Sequence, residues 1–430
     1  MVRASVALRG VVLAALLSVL SANVGWGQAL PSVSPSEAGF APDRLERLHG
    51  RMQRFVDEGR HAGILTLVAR HGKVVDVRAY GLRDREQQRP MERDTIVRIY
   101  SMTKVITSVA VMMLVEEGRL RLDDPLSTYL PALATPKVFA GGTAAAPQLS
   151  EVTRPITIRH LLTHTSGYMY GFGRDEVDKA YQEAKLFESP TVDAFIAKVT
   201  RLPLGVEPGQ RFVYGISTDI LGAVVEKVAA RPFDAFVRER ITSPLGMVDT
   251  AFTVPEGKRG RLAKVYTTGK DGALTSAPVS GVPYPDEQGR LFPSGGGGLF
   301  STIDDYARFG QMLLNGGELD GVRLLGRKTV ETMRANQLTH LEPPTTNGSR
   351  SDGFGLGGAV RLDLASGSPL GSVGQFGWSG AATTYFTIDP AEGVLALVFA
   401  QHMPFNEHDL FGVFTTMMYA ALVDPAPLAR

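Results

Sequence analysis

The sequence predicts an α+β fold in which one antiparallel sheet is assembled from both ends of the chain. Apolar, β-branched runs occur at residues 64–70 and 74–80 and again at 373–376, 384–388 and 394–400. Between them, residues 123–293 show short helical patterns, such as 221–230, separated by Pro- and Gly-rich loops and without convincing strand alternation. This order indicates an α/β domain from residues 30–122 and 294–430, with a mostly helical domain, 123–293, inserted between its halves.

The N-terminal elements have local signals. Asp43, with Glu46 three residues later, predicts a capping box that opens a helix whose apolar face recurs at helical spacing. The dipeptide His71-Gly72 predicts a tight hairpin turn between the first two strands. A long apolar stretch, 101–117, ends at Gly118 and predicts a buried helix after a β-like segment, 96–100.

The C-terminal elements complete the predicted sheet. A turn at 390–393 separates the last two strands, and residues 407–423 predict a final helix that covers one face of the sheet.

The N-terminus has the features of an export signal. Arg3 and Arg9 precede an apolar run, 11–20, and Gly27 and Ala29 occupy the small-residue positions of a cleavage site. We therefore expect residues 1–29 to be a removable signal peptide and the mature protein to be periplasmic or secreted. A retained membrane anchor is the alternative, but about ten apolar residues are too few to span a bilayer, which takes about 20.

Charge and cysteine content exclude several classes of function. Lys plus Arg total 45 against 44 Asp plus Glu, so no basic surface for nucleic acid or anionic membrane is expected. The chain has no cysteine, which excludes a lipoprotein anchor, a disulfide framework and a cysteine nucleophile. A small neutral substrate fits this balance.

One short motif offers nucleophilic chemistry. In Ser101-Met-Thr-Lys104, three-residue spacing on a helix puts a hydroxyl and an amine on one face. A serine needs a nearby base, and burial together with the helix dipole lowers the pKa of a lysine toward neutrality. Ser-x-x-Lys is weak evidence alone, because a chain of this length should contain about one by chance.

The sequence resembles the superfamily of serine β-lactamases, penicillin-binding DD-peptidases and family VIII carboxylesterases over nearly the whole mature chain. The resemblance rests on five segments in the right order, which are Ser101-Met-Thr-Lys104, His160-Leu-Leu-Thr-His164-Thr-Ser-Gly167, Tyr214-Gly-Ile-Ser-Thr-Asp-Ile-Leu-Gly222, Ser294-Gly-Gly-Gly-Gly-Leu-Phe-Ser301 and Gly377-Trp378-Ser379-Gly380. It implies a β-lactamase/transpeptidase-like fold.

The resemblance also implies roles for individual residues. Ser101 corresponds to the acylated nucleophile, and Lys104 and Tyr214 to the groups that carry its proton. Either of the two could be the base, since Tyr214 could serve only if a neighbouring ammonium lowers its pKa. The backbone N–H groups of Ser101 and of Ala381, which follows an edge strand, would form the oxyanion hole.

Two departures from the β-lactamase pattern bear on specificity. Trp378 stands where a Lys-Thr-Gly motif usually supplies a cation, and Ile216 stands where an asparagine commonly bonds the substrate amide. We expect substrate contacts from both of these residues and from Ser379, Gly380 and Tyr170. A site without those two polar groups should favour small apolar esters over acidic amides.

The resulting prediction is a carboxylesterase for short-chain esters, with weak cephalosporin hydrolysis as a secondary expectation. The alternatives are a β-lactamase or DD-peptidase and a non-catalytic penicillin-binding sensor. No metal or cofactor is implied, because His160 and His164 have metal-ligand spacing but lack the glutamate of the zinc-protease motif, and we take both as structural. Acyl-chain preference and oligomeric state do not follow from the sequence.

Overall fold

The computed structural model of the protein describes residues 29–277, 292–346, 349–366 and 369–424. The predicted signal peptide lies outside the described residues except for its last position, Ala29. Along the described parts of the chain, none of the helices combines the length and the apolar character needed to cross a membrane.

Strands and helices are interspersed along the chain. The strands are β1 (Gly63–Arg70), β2 (Lys73–Asp84), β3 (Arg89–Pro90), β4 (Val97–Arg98), β5 (Lys137–Thr143), β6 (Ala146–Glu151), β7 (Tyr266–Thr268), β8 (Leu274–Ser276), β9 (Phe300–Ser301), β10 (Glu318–Leu319), β11 (Val322–Arg323), β12 (Asp352–Phe354), β13 (Ala359–Arg361), β14 (Phe376–Gly380), β15 (Thr384–Asp389), β16 (Val394–Ala400) and β17 (His402–Met403). The α-helices are α1 (Pro42–Asp57), α2 (Thr103–Glu116), α3 (Ile158–Leu162), α4 (Glu176–Glu183), α5 (Val192–Val199), α6 (Ser217–Ala229), α7 (Phe233–Val237), α8 (Ile303–Leu314), α9 (Arg327–Met333) and α10 (Leu410–Ala421). Short segments of 3-10 helix occur at Tyr100–Met102, Leu126–Thr128, Pro131–Leu133, Leu186–Glu188 and Glu256–Arg261, and Arg238–Thr242 is π-helical.

The central sheet has eight antiparallel strands in the order β12-β13-β14-β15-β16-β1-β2-β3. The two ends of the chain meet where β1 pairs with β16, from Ile64 opposite Ala400 to Arg70 opposite Val394. The predicted sheet from both termini is therefore confirmed. The strand before Ala381 is not an edge strand as predicted, because β12 and β13 lie beyond β14.

Both faces of this sheet are buried, which explains the continuous apolar runs of its central strands. In β16, Leu395, Leu397 and Phe399 join the large core that contains α2, α6 and α8. The alternating residues Val394 and Val398 instead pack with α1 and α10. Helices therefore cover both faces of the sheet, and the sequence predicts the cover of one of them, by the C-terminal helix α10.

The first hairpin agrees with its turn signal. His71 and Gly72 have φ values of 49° and 80°, and Arg70 pairs directly with Lys73. Positive φ at both central residues is the requirement of a two-residue hairpin turn that matches strand twist.

The first helix begins differently from the prediction. Its N-cap is Ala41, which makes no side-chain capping bond, and Pro42 occupies the first helical position, where its fixed φ suits a helix start. Asp43 lies inside the helix and accepts a hydrogen bond from Arg47 Nη2 at 2.6 Å. The predicted Asp43–Glu46 capping box is therefore wrong, although the predicted apolar face of the helix is buried.

The nucleophile segment also starts in another conformation. Ser101 lies in the 3-10 turn Tyr100–Met102, and α2 begins only at Thr103. Tyr100, just before Ser101, has a positive φ of 43°, which keeps Tyr100 itself out of the right-handed helical conformation. The helix ends as predicted, with Gly118 at φ 67°.

The middle region is helical, with two strand pairs that the sequence pattern does not predict. The strands β5 and β6 form a hairpin, and β7 pairs with β8. Every residue of β6 is exposed, so no alternation of apolar and polar residues marks it. These four strands depart from the prediction of a mostly helical region without strand alternation.

The C-terminal elements differ from the prediction only at their ends. The strand predicted at 373–376 begins at Phe376 instead, since Val373 is exposed and Gly374 has a φ of 85°. The following strands are confirmed, and the final helix spans Leu410–Ala421 within the predicted range.

Candidate active site

The structure brings Ser101 and Lys104 together. Lys104 Nζ donates a hydrogen bond to Ser101 Oγ at 3.1 Å. Ser101 is partly exposed, whereas Lys104 has no exposed surface. In a 3-10 turn side chains three residues apart eclipse each other, so the predicted pairing forms although the local helix type differs. A hydroxyl open to substrate thus has an amine fixed behind it.

Lys104 is surrounded by acceptors. Besides Ser101, its ammonium donates to Tyr170 Oη at 2.9 Å and to the carbonyl of Gly296 at 2.7 Å. Its Nζ also lies 5.1 Å from the centre of the Tyr170 ring and 4.7 Å from that of Tyr214. The three protons of an ammonium group are matched by three acceptors, which fixes the position of Nζ.

Tyr214 approaches Lys104 with its ring and not with its hydroxyl group. Among the described residues, Tyr214 Oη has one hydrogen bond, accepted from Trp378 Nε1 at 3.2 Å. The ring packs against His164, with centroids 4.8 Å apart. Of the two groups predicted to carry the serine proton, Lys104 is the one bonded to Ser101 in this arrangement.

A buried carboxylate completes the network behind Lys104, and the sequence interpretation missed it. Asp219 is 2% exposed and accepts hydrogen bonds from Ser294 Oγ and from the Gly296 N–H at 3.0 Å. Burial raises the pKa of Asp219, and the Lys104 ammonium opposes this shift. Burial and the neighbouring Asp219 hold the pKa of Tyr170 well above its ordinary value, so Tyr170 is a neutral phenol. The sequence signal for this residue was an acidic side chain at the start of the largely apolar helical stretch that forms α6.

The glycine run 295–298 allows the backbone to approach this network. A Cβ at Gly296 would lie 2.4 Å from Asp219 Oδ2 and 2.8 Å from Tyr170 Oη. A Cβ at Gly295 would lie 2.5 Å from the carbonyl oxygen of Thr218. The absence of side chains is therefore a steric requirement, because no larger residue leaves the Gly296 carbonyl within reach of Lys104.

The turn after β14 lies against the nucleophile turn. Thr384 Oγ1 donates to the carbonyl of Ile99 at 3.3 Å, and a Cβ on Gly380 would lie 2.3 Å from that same oxygen. Neither the Ser101 N–H nor the Ala381 N–H donates to another residue in the described parts of the chain. Both N–H groups are thus available to an oxyanion, the role that the resemblance implies for them.

The two aromatic residues predicted to contact the substrate, Trp378 and Tyr170, lie beside the site. Trp378 is partly exposed and packs on Tyr214 and Phe354, with centroid distances of 5.5 and 5.1 Å. Tyr170 stacks on Phe172 at 4.8 Å, and Phe172 is 79% exposed. These rings form an apolar wall beside Ser101 and Lys104.

The other substrate-contact predictions need correction. Ile216 has no exposed surface and belongs to the main core, so it has no surface with which to contact a substrate. Ser379 pairs with Tyr385, which stacks on Phe411 of α10, so alternation along β14 turns the Ser379 side chain to the opposite face from Trp378. Gly380 is buried, and its contact with Ile99 gives it a spacing role.

His160 and His164 both make local structural bonds. His160 Nδ1 accepts from the Thr157 N–H at 3.2 Å, and His164 Nδ1 accepts from the Gly215 N–H at 3.3 Å. Burial and the nearby Lys104 hold the pKa of His164 well below its ordinary value, so its ring is neutral. His164 therefore supports the segment that carries Tyr214, in agreement with the structural role predicted for it.

Comparison with known proteins agrees with this geometry. Residues 48–412 match the Beta-lactamase protein family. Protein Rv1367c of Mycobacterium tuberculosis is 37% identical over 371 residues, which cover 84% of this chain and 90% of that protein. Esterase EstB of Burkholderia gladioli is 31% identical over 388 residues, which cover 86% of this chain and 92% of that protein.

A solved structure is similar over almost the same extent. EstCE1, described as a hydrolase with promiscuous acyltransferase activity, superposes with a TM-score of 0.74 at 27% sequence identity. The match covers 89% of this chain and 98% of EstCE1. The chain therefore belongs to the beta-lactamase family and is one of its serine hydrolases, similar to the family VIII carboxylesterases.

Proposed function

We propose that the protein is a serine carboxylesterase that hydrolyses short-chain carboxylic esters through an acyl-enzyme on Ser101. The observation that carries the proposal is the hydrogen bond of 3.1 Å between Lys104 Nζ and Ser101 Oγ, next to an aromatic wall formed by Trp378. A buried amine in contact with a partly exposed hydroxyl is the arrangement that activates a serine for acyl transfer.

The chemical steps follow from these groups. Ser101 Oγ attacks the ester carbonyl carbon as its proton passes, directly or through Tyr214, to Lys104 Nζ, a step that requires Lys104 to release one ammonium proton before the attack. The N–H groups of Ser101 and Ala381 bind the oxyanion, and the protonated base then gives the proton to the departing alcohol. Water attacks the acyl-enzyme through the same proton path and releases the carboxylic acid and the free serine.

The preference for esters is supported by what the third motif offers. At the position of the usual cation, Trp378 presents an indole, and its one N–H is already donated to Tyr214 Oη at 3.2 Å. A lactam or peptide carboxylate would gain no ion pair from that residue, whereas an apolar acyl group can pack on its ring. Slow opening of cephalosporins remains a secondary expectation.

The alternatives predict different behaviour. A β-lactamase or DD-peptidase would turn over lactams or peptides faster than esters. A non-catalytic penicillin-binding sensor would be acylated by a penicillin without ester turnover, but the retained contact of Ser101 with Lys104 argues against it.

The test is a set of initial hydrolysis rates for p-nitrophenyl esters of increasing acyl length beside a chromogenic cephalosporin. We expect fast turnover of short esters, slow lactam cleavage, and loss of at least about a thousandfold in ester turnover for Ser101→Ala. Ser108→Ala, which removes a buried hydroxyl from the same helix, should keep most of the activity and is the matched control. Full esterase activity in Ser101→Ala, or dominant lactam turnover in the wild type, would refute the proposal.

Acyl transfer to an alcohol is a second candidate outcome for the same acyl-enzyme. It is supported by the similarity to EstCE1, a hydrolase whose description includes acyltransferase activity. Adding an alcohol to the ester assay and separating the products measures how the acyl group divides between water and the alcohol.

Export is also part of the proposal, supported by the sequence of residues 1–29. Cleavage after Ala29 is checked by N-terminal sequencing of the protein recovered outside the cytoplasm.

A further inference from the structure

Three histidines and a glutamate meet at one end of the central sheet, away from Ser101 and Lys104 in the sequence. His61 lies two residues before the start of β1, His402 lies in β17, and Glu407 and His408 lie in the loop before α10. The ring of His61 lies 4.9 Å from that of His402 and 5.6 Å from that of His408, centroid to centroid. We propose that His402, Glu407 and His408 bind a divalent transition metal of the zinc type, with His61 facing the fourth coordination position.

The distances between the candidate ligand atoms suit such an ion. Glu407 Oε2 lies 2.8 Å from His402 Nε2 and 3.7 Å from His408 Nε2. One ligand atom from each of the three residues can be chosen so that all lie within 4.8 Å of one another. Around a tetrahedral Zn²⁺ with bonds of about 2.0–2.2 Å, ligand atoms are about 3.3–3.5 Å apart. The distances between ligand atoms would therefore have to change by a few tenths of an ångström to at most about 1.5 Å to form the site.

The second observation in support of a metal site is that buried imidazole nitrogens in this cluster have no hydrogen-bond partner among the described residues. His61 is 1% exposed, and neither of its ring nitrogens has a hydrogen bond with any described residue. His402 is also 1% exposed, and its Nδ1 is likewise without a partner. Buried imidazoles are normally hydrogen-bonded, since an unsatisfied buried polar atom costs about 1–3 kcal/mol. A cation at the centre of the cluster would replace the hydrogen bond between His402 Nε2 and Glu407 Oε2, which is 2.8 Å long. It would also use the lone pair of His408 Nε2, which no described residue uses.

The donor set favours zinc over calcium or magnesium. Two imidazoles and one carboxylate are borderline ligands typical of Zn²⁺ sites that keep an open position, whereas Ca²⁺ and Mg²⁺ take oxygen ligands. Thr268 Oγ1 donates to Glu407 Oε2 at 2.9 Å and orients the carboxylate. Arg60 is a nearby positive charge that would repel a cation, and its ion pair with Glu58, at 2.9 Å, reduces that repulsion.

The backbone links this cluster to the predicted oxyanion turn. The N–H of His402 donates to the carbonyl of Ala382 at 3.0 Å, and the carbonyl of His402 accepts from Thr383 Oγ1 at 2.9 Å. These two residues directly follow Ala381. A bound ion would therefore stiffen the turn that carries this N–H group, so the proposed site would act on the geometry of that turn and not on the substrate directly.

The experiment uses the full chain without an affinity tag, dialysed against EDTA and then against metal-free buffer. Calorimetric titration with ZnCl₂ should give one ion per chain, and the melting temperature should rise with Zn²⁺ but not with Mg²⁺. We expect His408→Gln, at a partly exposed position, and Glu407→Gln, at an exposed one, each to weaken Zn²⁺ binding at least about tenfold. His340→Gln, at an exposed histidine outside the cluster, should bind like the wild type.

Two results would overturn the proposal. One is the absence of saturable Zn²⁺ binding by the folded wild-type chain. The other is Zn²⁺ binding at wild-type affinity by both His408→Gln and Glu407→Gln, with melting temperatures in the absence of metal that equal that of the wild type. That result would mean that the ion binds elsewhere on the chain.

Discussion

The two tyrosines beside Lys104 hold different parts of the network at the active site. The hydroxyl of Tyr170 accepts from Lys104 Nζ at 2.9 Å and lies beside the carboxylate of Asp219. The hydroxyl of Tyr214 is free of Lys104 and accepts from the Trp378 N–H. Because the pKa of Tyr170 is held well above its ordinary value, Tyr170 cannot act as a base near neutral pH. Its function is to position the ammonium.

We therefore expect the two tyrosine-to-phenylalanine variants to differ in activity. On the proposed role of Tyr214 in proton transfer, Tyr214→Phe should lower kcat about 10²–10³-fold, within the usual range for general acid–base catalysis. Tyr170→Phe removes one of three acceptors around Lys104 and should lower kcat only about tenfold. Steady-state kinetics on one p-nitrophenyl ester, with circular dichroism to confirm folding, measures the difference. A larger loss in Tyr170→Phe would reverse the two roles.

At the scale of elements, the glycine run 295–298 holds the Gly296 carbonyl against Lys104. Gly296→Ala should place its Cβ into Asp219 and Tyr170, push the loop outward and lower kcat at least tenfold, since misplacing a catalytic group by about 1 Å can cost about a hundredfold. The matched control is Gly257→Ala, in an exposed 3-10 turn where a Cβ would meet nothing within 4 Å.

Ester kinetics and thermal melting of both glycine variants test this steric argument. Equal activity of Gly296→Ala and Gly257→Ala would show that the loop tolerates a side chain, and that its contact with Lys104 does not matter for turnover.

The sequence predicted those elements whose burial leaves a pattern. The strands β1, β15 and β16 are buried along most of their length, and their apolar runs gave close to the observed bounds. Strand β6 is exposed at every residue, so nothing in its composition separated it from a loop. The start of α1 was misplaced by two residues, because Asp43 has the sequence features of an N-cap, whereas the observed N-cap is Ala41 and Pro42 begins the helix.

The active site was predictable where its contacts are local. Ser101 and Lys104 are three residues apart, so spacing alone pairs them. The contact of Lys104 with Tyr170 joins residues 66 positions apart, and only the folded chain shows that Tyr170 Oη is its partner. The burial of Ile216 could not be read from its place in a motif, because the motif fixes sequence order and not side-chain direction.

At the scale of the whole molecule, α8 links the middle region to the sheet. It packs on β15 and β16, and Asp305 in its first turn is 2% exposed. One carboxylate oxygen of Asp305, Oδ2, accepts from the Asp249 N–H at 2.7 Å and from Thr250 Oγ1 at 2.9 Å. Burial raises the pKa of Asp305 to about 6 from an ordinary value of 3.8. The charge of this group therefore affects the stability of the entire fold.

The sign of the pH dependence follows from that raised pKa. Between about pH 4 and pH 6, the native state holds a proton on Asp305 that the unfolded chain releases, so this group lowers the free energy of unfolding as pH rises. The difference of about two between the native and unfolded pKa values of Asp305 corresponds to a loss of about 3 kcal/mol in the free energy of unfolding. This loss is complete above about pH 6.

Asp305→Asn keeps an oxygen for both donors and is neutral at every pH. Relative to the wild type, the variant should therefore become more stable by up to about 3 kcal/mol between pH 4 and pH 7. Urea unfolding of both proteins across this range, with Asp57→Asn as an exposed control, measures the change; a constant difference between Asp305→Asn and the wild type would contradict it.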